Sequence, residues 1–369
     1  MSGQAEELQE LREVTRRFLA DKASISDTRR VVESGRSCDE AVWKQMAEQI
    51  GLQGIAVPEQ FGGAGMGPVE LGVVCEELGR TLYAGPFFAT VVMAAQALVA
   101  ADDVEAAERW LPGIVEGALT GTLAVADLTG EIDPEKVLTT AEPDGEGGWR
   151  LTGSKRFVVD GCSADLILAA ALVEGEVGLF GIDGDAAGLT REPLAQLDPT
   201  RALAVLTFEA TPAQRVATDA AAVLGRVRDL VSAHLAAEQA GGAAAALEMA
   251  VEYAKVREQF GRPIGSFQAI KHMCADRLLD VESARNAASA AAALLADHDP
   301  EASLTASAAA AWAGPAFTRV AKDNIQIHGG IGFTWEHDAH YFLKRAKSSE
   351  VLFGSPAHHR ARVADLAGI

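Results

Sequence analysis

The chain has 369 residues and a formal net charge of −20, from 52 acidic and 32 basic side chains. Phosphate binding needs clustered Lys and Arg, so this balance excludes a nucleic-acid partner and predicts solubility rather than a particular fold. The length suits two or three domains with substantial cores, and no apolar run approaches the roughly 20 residues of a membrane span, so no membrane partner is expected.

The opening hundred residues carry helical patterns. Leu8, Leu11, Val14 and Phe18 recur at three- and four-residue spacing and predict a helix. The acidic start (Glu6, Glu7, Glu10) lacks the basic and apolar regions of a signal peptide, which predicts a cytoplasmic protein. The glycine-rich stretch Gly62-Gly63-Ala64-Gly65-Met66-Gly67 reads as a loop. No βαβ unit surrounds it, so it is not a dinucleotide fingerprint. Helical patterning returns over residues 69–78 and stops at Pro86.

From about residue 121 to 212 short β-type runs alternate with turns. Leu123-Ala124-Val125, Arg156-Phe157-Val158-Val159, Leu166-Ile167-Leu168 and Val205-Leu206-Thr207-Phe208 are separated by breakers such as Pro143-Asp144-Gly145 and Asp183-Gly184-Asp185. This predicts an antiparallel sheet. Residues 223–366 are helical again, and small residues from Ala236 to Ala246, including Gly241 and Gly242, predict close helix–helix contact. Helix, sheet, helix in that order is an α+β arrangement, divided at 1–118, 119–215 and 216–369. Cys38, Cys75, Cys162 and Cys274 are scattered and read as buried thiols. The histidines do not cluster, His358-His359 read as surface residues, and no metal site is expected.

Two stretches are the most specific: Arg257-Glu258-Gln259-Phe260-Gly261-Arg262-Pro263-Ile264-Gly265-Ser266-Phe267-Gln268 and Gln326-Ile327-His328-Gly329-Gly330-Ile331-Gly332-Phe333. Each follows a long helical pattern, and together they resemble the C-terminal FAD-binding signatures of the acyl-CoA dehydrogenase family. Val57-Pro58-Glu59-Gln60-Phe61-Gly62-Gly63 is similar to that family's loop between N-terminal helices, and residues 149–161 to the strand pair leading to its flavin-facing Trp-Ile-Thr segment. The resemblance covers nearly the whole chain. It implies an N-terminal helical domain, a middle antiparallel β domain and a C-terminal four-helix domain. FAD would lie between the last two, with its adenosine–pyrophosphate end reaching a neighbouring subunit. The implied reaction is oxidation of the Cα–Cβ bond of an acyl-CoA thioester, with electrons leaving through an electron-transferring flavoprotein.

Such chemistry needs a carboxylate to remove a weakly acidic α-proton and groups that hold substrate and flavin in register. On the pyrophosphate side the resemblance assigns cofactor contacts to Arg257, Phe260, Gln268, Gln326, Gly329 and Gly330. Arg257 supplies a forked cation, the glutamines supply amides, and the glycines allow close backbone approach. Singly, each reads as a surface charge, a core residue or a helix cap; jointly, in this order, they favour FAD. On the ring side, Ala126-Asp127-Leu128-Thr129-Gly130-Glu131-Ile132-Asp133 stands where relatives usually show Thr-Glu-Pro-x-Ala-Gly-Ser-Asp. Phe157 and Val159 replace Trp and Thr, and Ser355 keeps only the hydroxyl of the usual Glu-Gly-Thr, so these three are weaker cofactor contacts.

The family's two base positions fall on Phe353 and Val231, neither of them a carboxylate. Glu238 lies seven residues after Val231 on nearly the same helix face. It is the substitute candidate, although two turns displace it by about 10 Å, and a helix-packing role competes. Glu350 is weaker and reads as a solvated helix position. This pattern resembles the base-lacking subunit of actinobacterial hetero-oligomeric acyl-CoA dehydrogenases. That implies a homologous partner subunit in an α2β2 assembly and a bulky, even steroid-derived, acyl-CoA. A self-sufficient homotetramer with a non-standard carboxylate, an oxidase or monooxygenase on the same scaffold, and a non-catalytic structural partner remain open alternatives.

Overall fold

A computed structural model describes residues 3–217 and 219–369. The N-terminal part is helical, as expected: α1 (Gly3–Lys22), α2 (Ile25–Glu33), α3 (Glu40–Ile50), α4 (Pro68–Arg80), a buried π-helix (Phe88–Ala95), α5 (Gln96–Ala101) and α6 (Val104–Val115). Local chemistry sets the ends. Ser24 and Asp27 form a reciprocal capping box at the start of α2, and Asp39 caps α3, which closes on left-handed Gly51. Residues 62–67 form the predicted loop, in which a methyl on Gly63 would fall 2.0 Å from the Val57 carbonyl oxygen.

The middle of the chain supplies β1 (Gly121–Ala124), β2 (Thr140–Pro143), β3 (Trp149–Val159), β4 (Leu166–Val173), β5 (Glu176–Asp183), β6 (Leu189–Pro193) and β7 (Leu203–Ala217). Strand order is β1-β4-β2-β3-β7-β5; β6 joins β7, and β5 also pairs with β4 and so closes a small barrel. Most ladders are antiparallel. The exceptions are β1 beside β4 (Gly121 opposite Leu166) and a single β2–β4 pair, Thr140 opposite Leu172, both parallel. The expectation of a purely antiparallel sheet is corrected to that extent, and the long connections between these strands provide the crossover that parallel pairing requires. Alternating Ala204, Leu206 and Phe208 of β7 meet Leu151, Val158, Ile167 and Phe180 in the barrel core.

The C-terminal part comprises α7 (Ala220–Val256), a short hairpin of β8 (Glu258–Gln259) and β9 (Arg262–Pro263), α8 (Gln268–Ala296), α9 (Ala302–His328), α10 (Ala339–Ser349) and α11 (Pro356–Ala367). The chain forms two compact units that draw on distant segments: residues up to 34 with 72–83 and 232–369, and residues 35–71 with 84–231.

In the first unit, the predicted small-residue contact is present and reciprocal. A methyl on Gly79 of α4 would fall 2.0 Å from the Glu238 carbonyl oxygen of α7, and one on Gly241 would fall 1.8 Å from that of Glu76. Backbone therefore meets backbone, and Gly242 likewise admits the ring of Phe317 from α9. The predicted first helix is present, and it buries Thr15, Phe18 and Leu19 while Val14 is exposed. Arg12 and Arg16 donate to Glu77 of α4 at 2.9 and 2.8 Å, and these ion pairs set the rotation of α1.

In the second unit, the π-helix is tied to β1 by the Thr90 hydroxyl, which accepts from Gly121 N and donates to Gly121 O. Trp110 of α6 sits on Gly181 of β5, where a methyl would come within 2.3 Å of the indole. Of the four cysteines only Cys75 is buried, and Cys162 is exposed. The uniformly buried expectation is thus corrected, Cys162 lying in the turn after β3.

Candidate functional site

The two signature stretches meet at the surface of the first unit. A small apolar cluster underlies them: Ala250 and Ala254 from α7, Ile264 and Ile270 around the start of α8, and Ile327 from the end of α9. Tyr253 also stacks on His328, the last residue of α9, with ring centroids 4.2 Å apart. These contacts bring the Arg257 hairpin beside the Gly329-Gly330 turn.

The hairpin has a two-residue tip, Phe260 and Gly261, with φ of 53° and 75°. Two successive positive φ values are the type I′ geometry that matches strand twist. Gly takes this conformation freely; Phe rarely does, and such strain concentrates at functional positions. Phe260 is nonetheless 92% exposed. The hairpin base is closed by Ile264 N donating to Arg257 O at 2.8 Å. The turn after it lies directly on α7, since a methyl on Gly265 would come 2.9 Å from the Ala254 carbonyl oxygen.

Arg257, Gln268, Gln326, Gly329 and Gly330 are all exposed. Neither Arg257 nor Arg262 makes an ion pair among the described residues. Gly329 ends α9 at φ 63°, and space is open beside both it and Gly330. The surface thus offers unpaired guanidinium groups, amides, an accessible backbone turn and an exposed phenyl ring.

The ring-side candidates are placed differently. Phe353 is buried and left-handed (φ 62°), ahead of Gly354, where a methyl would collide with His358 and His359. Ser355 accepts from His358 N at 3.2 Å and caps α11. Val231 is fully buried in α7. Val159 is buried in β3, opposite Leu203, and its carbonyl accepts from Thr122 at 2.6 Å. Phe157 stands at a β-bulge with φ 56°, half-exposed, and Gly130 of the preceding loop lies close to its ring.

That loop turns its charge inward. Asp127 is buried and accepts from Lys155 at 2.7 Å, from Leu138 N and Thr139 N at 3.0 and 3.2 Å, and from the Thr139 hydroxyl. Lys155 is completely buried and also donates to Val125 O at 2.8 Å; burial lowers its pKa to about 8 despite the Asp127 charge. Glu131 and Asp133 both lie near Lys136, at 3.6 and 3.5 Å. This lock was missed in the sequence, where Lys155 reads as an ordinary strand residue; its signal is a lone Lys on the core-facing side of β3.

The substitute carboxylates are occupied. Glu238 is buried and accepts from Arg345 at 2.9 Å, while Arg345 also donates to Leu82 O and Tyr83 O. Glu350 is not solvated as expected: its side chain is 16% exposed, accepts from the Thr318 hydroxyl at 3.0 Å and pairs with Lys347. The histidines do cluster, contrary to expectation. His328 and His337 lie 4.3 Å apart, and His340 is wedged between Trp335 and Tyr341, its two ring nitrogens unpartnered. Burial, then Lys344, Arg29 and His337, lowers the His340 pKa to about 4. His359 is buried, so the His358-His359 pair is only partly a surface feature. No group of three potential metal ligands occurs among the described residues.

Comparison with known proteins gives this arrangement its family. The descriptions "Acyl-CoA dehydrogenase, N-terminal domain" and "Acyl-CoA dehydrogenase, C-terminal domain" match residues 5–118 and 232–367. The acyl-CoA dehydrogenase IpdE2 of Mycobacterium tuberculosis is 36% identical, covering 95% of this chain and 94% of its own. A Tcur3481–Tcur3483 steroid ACAD variant is 34% identical with a TM-score of 0.89, covering 99% and 98% of the two chains. The ChsE4–ChsE5 complex from M. tuberculosis gives 30%, a TM-score of 0.89, and coverage of 98% and 97%. The chain belongs to the acyl-CoA dehydrogenase family, with its N-terminal helical, middle β and C-terminal helical domains.

FAD is the cofactor of this family, an oxidoreductase family of β-oxidation. The donor set at the hairpin and the Gly329-Gly330 turn fits its diphosphate and adenosine: the unpaired Arg257 for the phosphates, open backbone, and amides for ribose and base. No helix among the described residues is long and apolar enough to cross a membrane.

Proposed function

We propose that this chain is a subunit of an FAD-dependent acyl-CoA dehydrogenase that completes the FAD site of a homologous partner and lacks a base of its own. The observation that carries the reading is a contrast. Phe353 and Val231 are buried and apolar, while Arg257 and Phe260 project from an exposed hairpin with the guanidinium unpaired. Bound FAD supplies the two-electron acceptor for hydride from the substrate β-carbon. Arg257 binds and orients the diphosphate, Gly329 and Gly330 give it backbone contact, Gln268 and Gln326 hold adenosine-side polar atoms, and Phe260 excludes water. Phe157, Val159 and Ser355 have at most a supporting part, since Val159 is a core side chain and Ser355 caps α11.

Glu238 does not take the proton in this reading, because it is buried in the helix packing and engaged by Arg345. The α-proton is removed by the partner's carboxylate. The two-component names of the Tcur3481–Tcur3483 and ChsE4–ChsE5 structures support an α2β2 assembly, and the steroid description of the former supports a bulky, steroid-derived acyl-CoA. Electrons pass to an electron-transferring flavoprotein, and the enzyme works in the cytoplasm. The three functional parts are residues 1–118, 119–215 and 216–369. The test is turnover: the lone chain should not desaturate any acyl-CoA with an artificial electron acceptor, and the co-purified pair should. Desaturation by the lone chain would instead establish a self-sufficient homotetramer.

A further inference from the structure

The hairpin contains a second unpaired arginine that the assigned site does not use. Arg262, in β9, lies over the Phe267 ring with Cζ 4.1 Å from its centroid. Phe267 in turn meets Phe260 edge-on, with centroids 6.1 Å apart and planes 85° from parallel. Phe267 is fixed at its own end, as the residue immediately before α8, with its N–H donating to Ile264 O at 3.1 Å. The result is a three-tier stack on the hairpin: guanidinium, phenyl, phenyl.

We propose that Arg262 and Phe267 are positioning residues of the FAD half-site, holding Phe260 in its left-handed, exposed conformation and adding a second fixed cation to the Arg257 field. The inference rests on the proposed function and deepens it. A phenyl ring at φ 53° and 92% exposed has almost nothing of its own to hold it; among the described residues its ring contact is with Phe267, which Arg262 covers. Edge-to-face and cation–π contacts are the interactions that fix such a ring without burying it. Register adds to this. Gln259 pairs with Arg262 across the hairpin, so Arg262 stands at the last ladder position before the tip. Stacking on a ring leaves the guanidinium N–H edge free for an anion, and a planar group held in this way loses little entropy when one binds.

The experiment uses the pair as co-purified, stripped of FAD and titrated with it by flavin fluorescence, with the thermal midpoint of the stripped pair as a second readout. Arg262→Ala should weaken FAD about tenfold, the scale of a lost cation–π contact with its charge, and leave the midpoint unchanged. Arg262→Lys, which keeps the charge and a cation over the ring but loses the planar stack, should recover part of the loss, while Phe267→Leu should weaken FAD as Arg262→Ala does. An unchanged FAD affinity in Arg262→Ala overturns the inference, and so does a loss that Arg262→Lys fails to recover. Arg257→Ala separates the two levels: if it weakens FAD while Arg262→Ala does not, only the positioning inference fails; if neither matters, the half-site reading fails with it.

Discussion

The segments around Asp127 and Phe353 and the hairpin around Phe260 carry equally polar or strained backbone and treat it in opposite ways. The loop before β2 sinks its carboxylate onto a buried lysine, and the elbow before α11 uses its hydroxyl as a helix cap and buries the Phe353 ring. The hairpin leaves two guanidinium groups unpaired and a phenyl ring exposed. A protein of net charge −20 has ample carboxylates to pair those arginines, yet they stand free. In the proposed reading the buried, paired groups serve the fold, and the exposed, solvated guanidinium groups are the ones available to a ligand.

The sharpest way to break this contrast is at Glu238. Glu238→Gln removes the buried negative charge that Arg345 pairs with and should cost about 3–5 kcal/mol of stability in chemical denaturation. If stability is kept while turnover of the pair is lost, Glu238 is a base and the inward-facing half is catalytic after all. Gly241→Ala tests the backbone contact that frames the same helix. A methyl 1.8 Å from the Glu76 oxygen has no room, so a loss of about 3 kcal/mol is expected, read as a lowered denaturation midpoint.

Arg257→Ala should weaken FAD in the pair by about 2 kcal/mol, the scale of a charge-assisted hydrogen bond, with the denaturation midpoint unmoved. A fall in stability with FAD affinity intact would make Arg257 structural. The smallest effect concerns acid. His340 has a folded-state pKa near 4 against 6.5 unfolded, so between those values the unfolded chain binds more protons and stability falls as pH falls. His340→Phe should flatten that fall in stability between pH 6.5 and 4. An identical pH profile in the variant would mean that His340 is not the group responsible.

Much of this was legible in the sequence because it depends on local pattern. Helical and strand periodicities, the glycine stripe facing α4 and the two signature stretches with their spacing all survive in the structure. The strands' mutual order was not legible: β1 beside β4 in parallel is a decision of long-range packing. Nor was the α1 rotation, which depends on Arg12 and Arg16 finding Glu77 sixty residues away in the chain. The Asp127–Lys155 lock and the His328, His337 and His340 cluster were hidden for the same reason. Each becomes visible only when segments without shared periodicity are brought together. Arg262 lies within the first signature stretch, but its stacking on Phe267 is a rotamer choice that spacing does not encode.

The most direct test of the central claim is flavin stoichiometry, measured as flavin absorbance against protein content for the chain expressed alone and with a homologous partner. A colourless lone chain, with about one FAD per pair after co-expression, is the predicted result. About one FAD per chain in the lone protein would contradict it and restore a complete homomeric site.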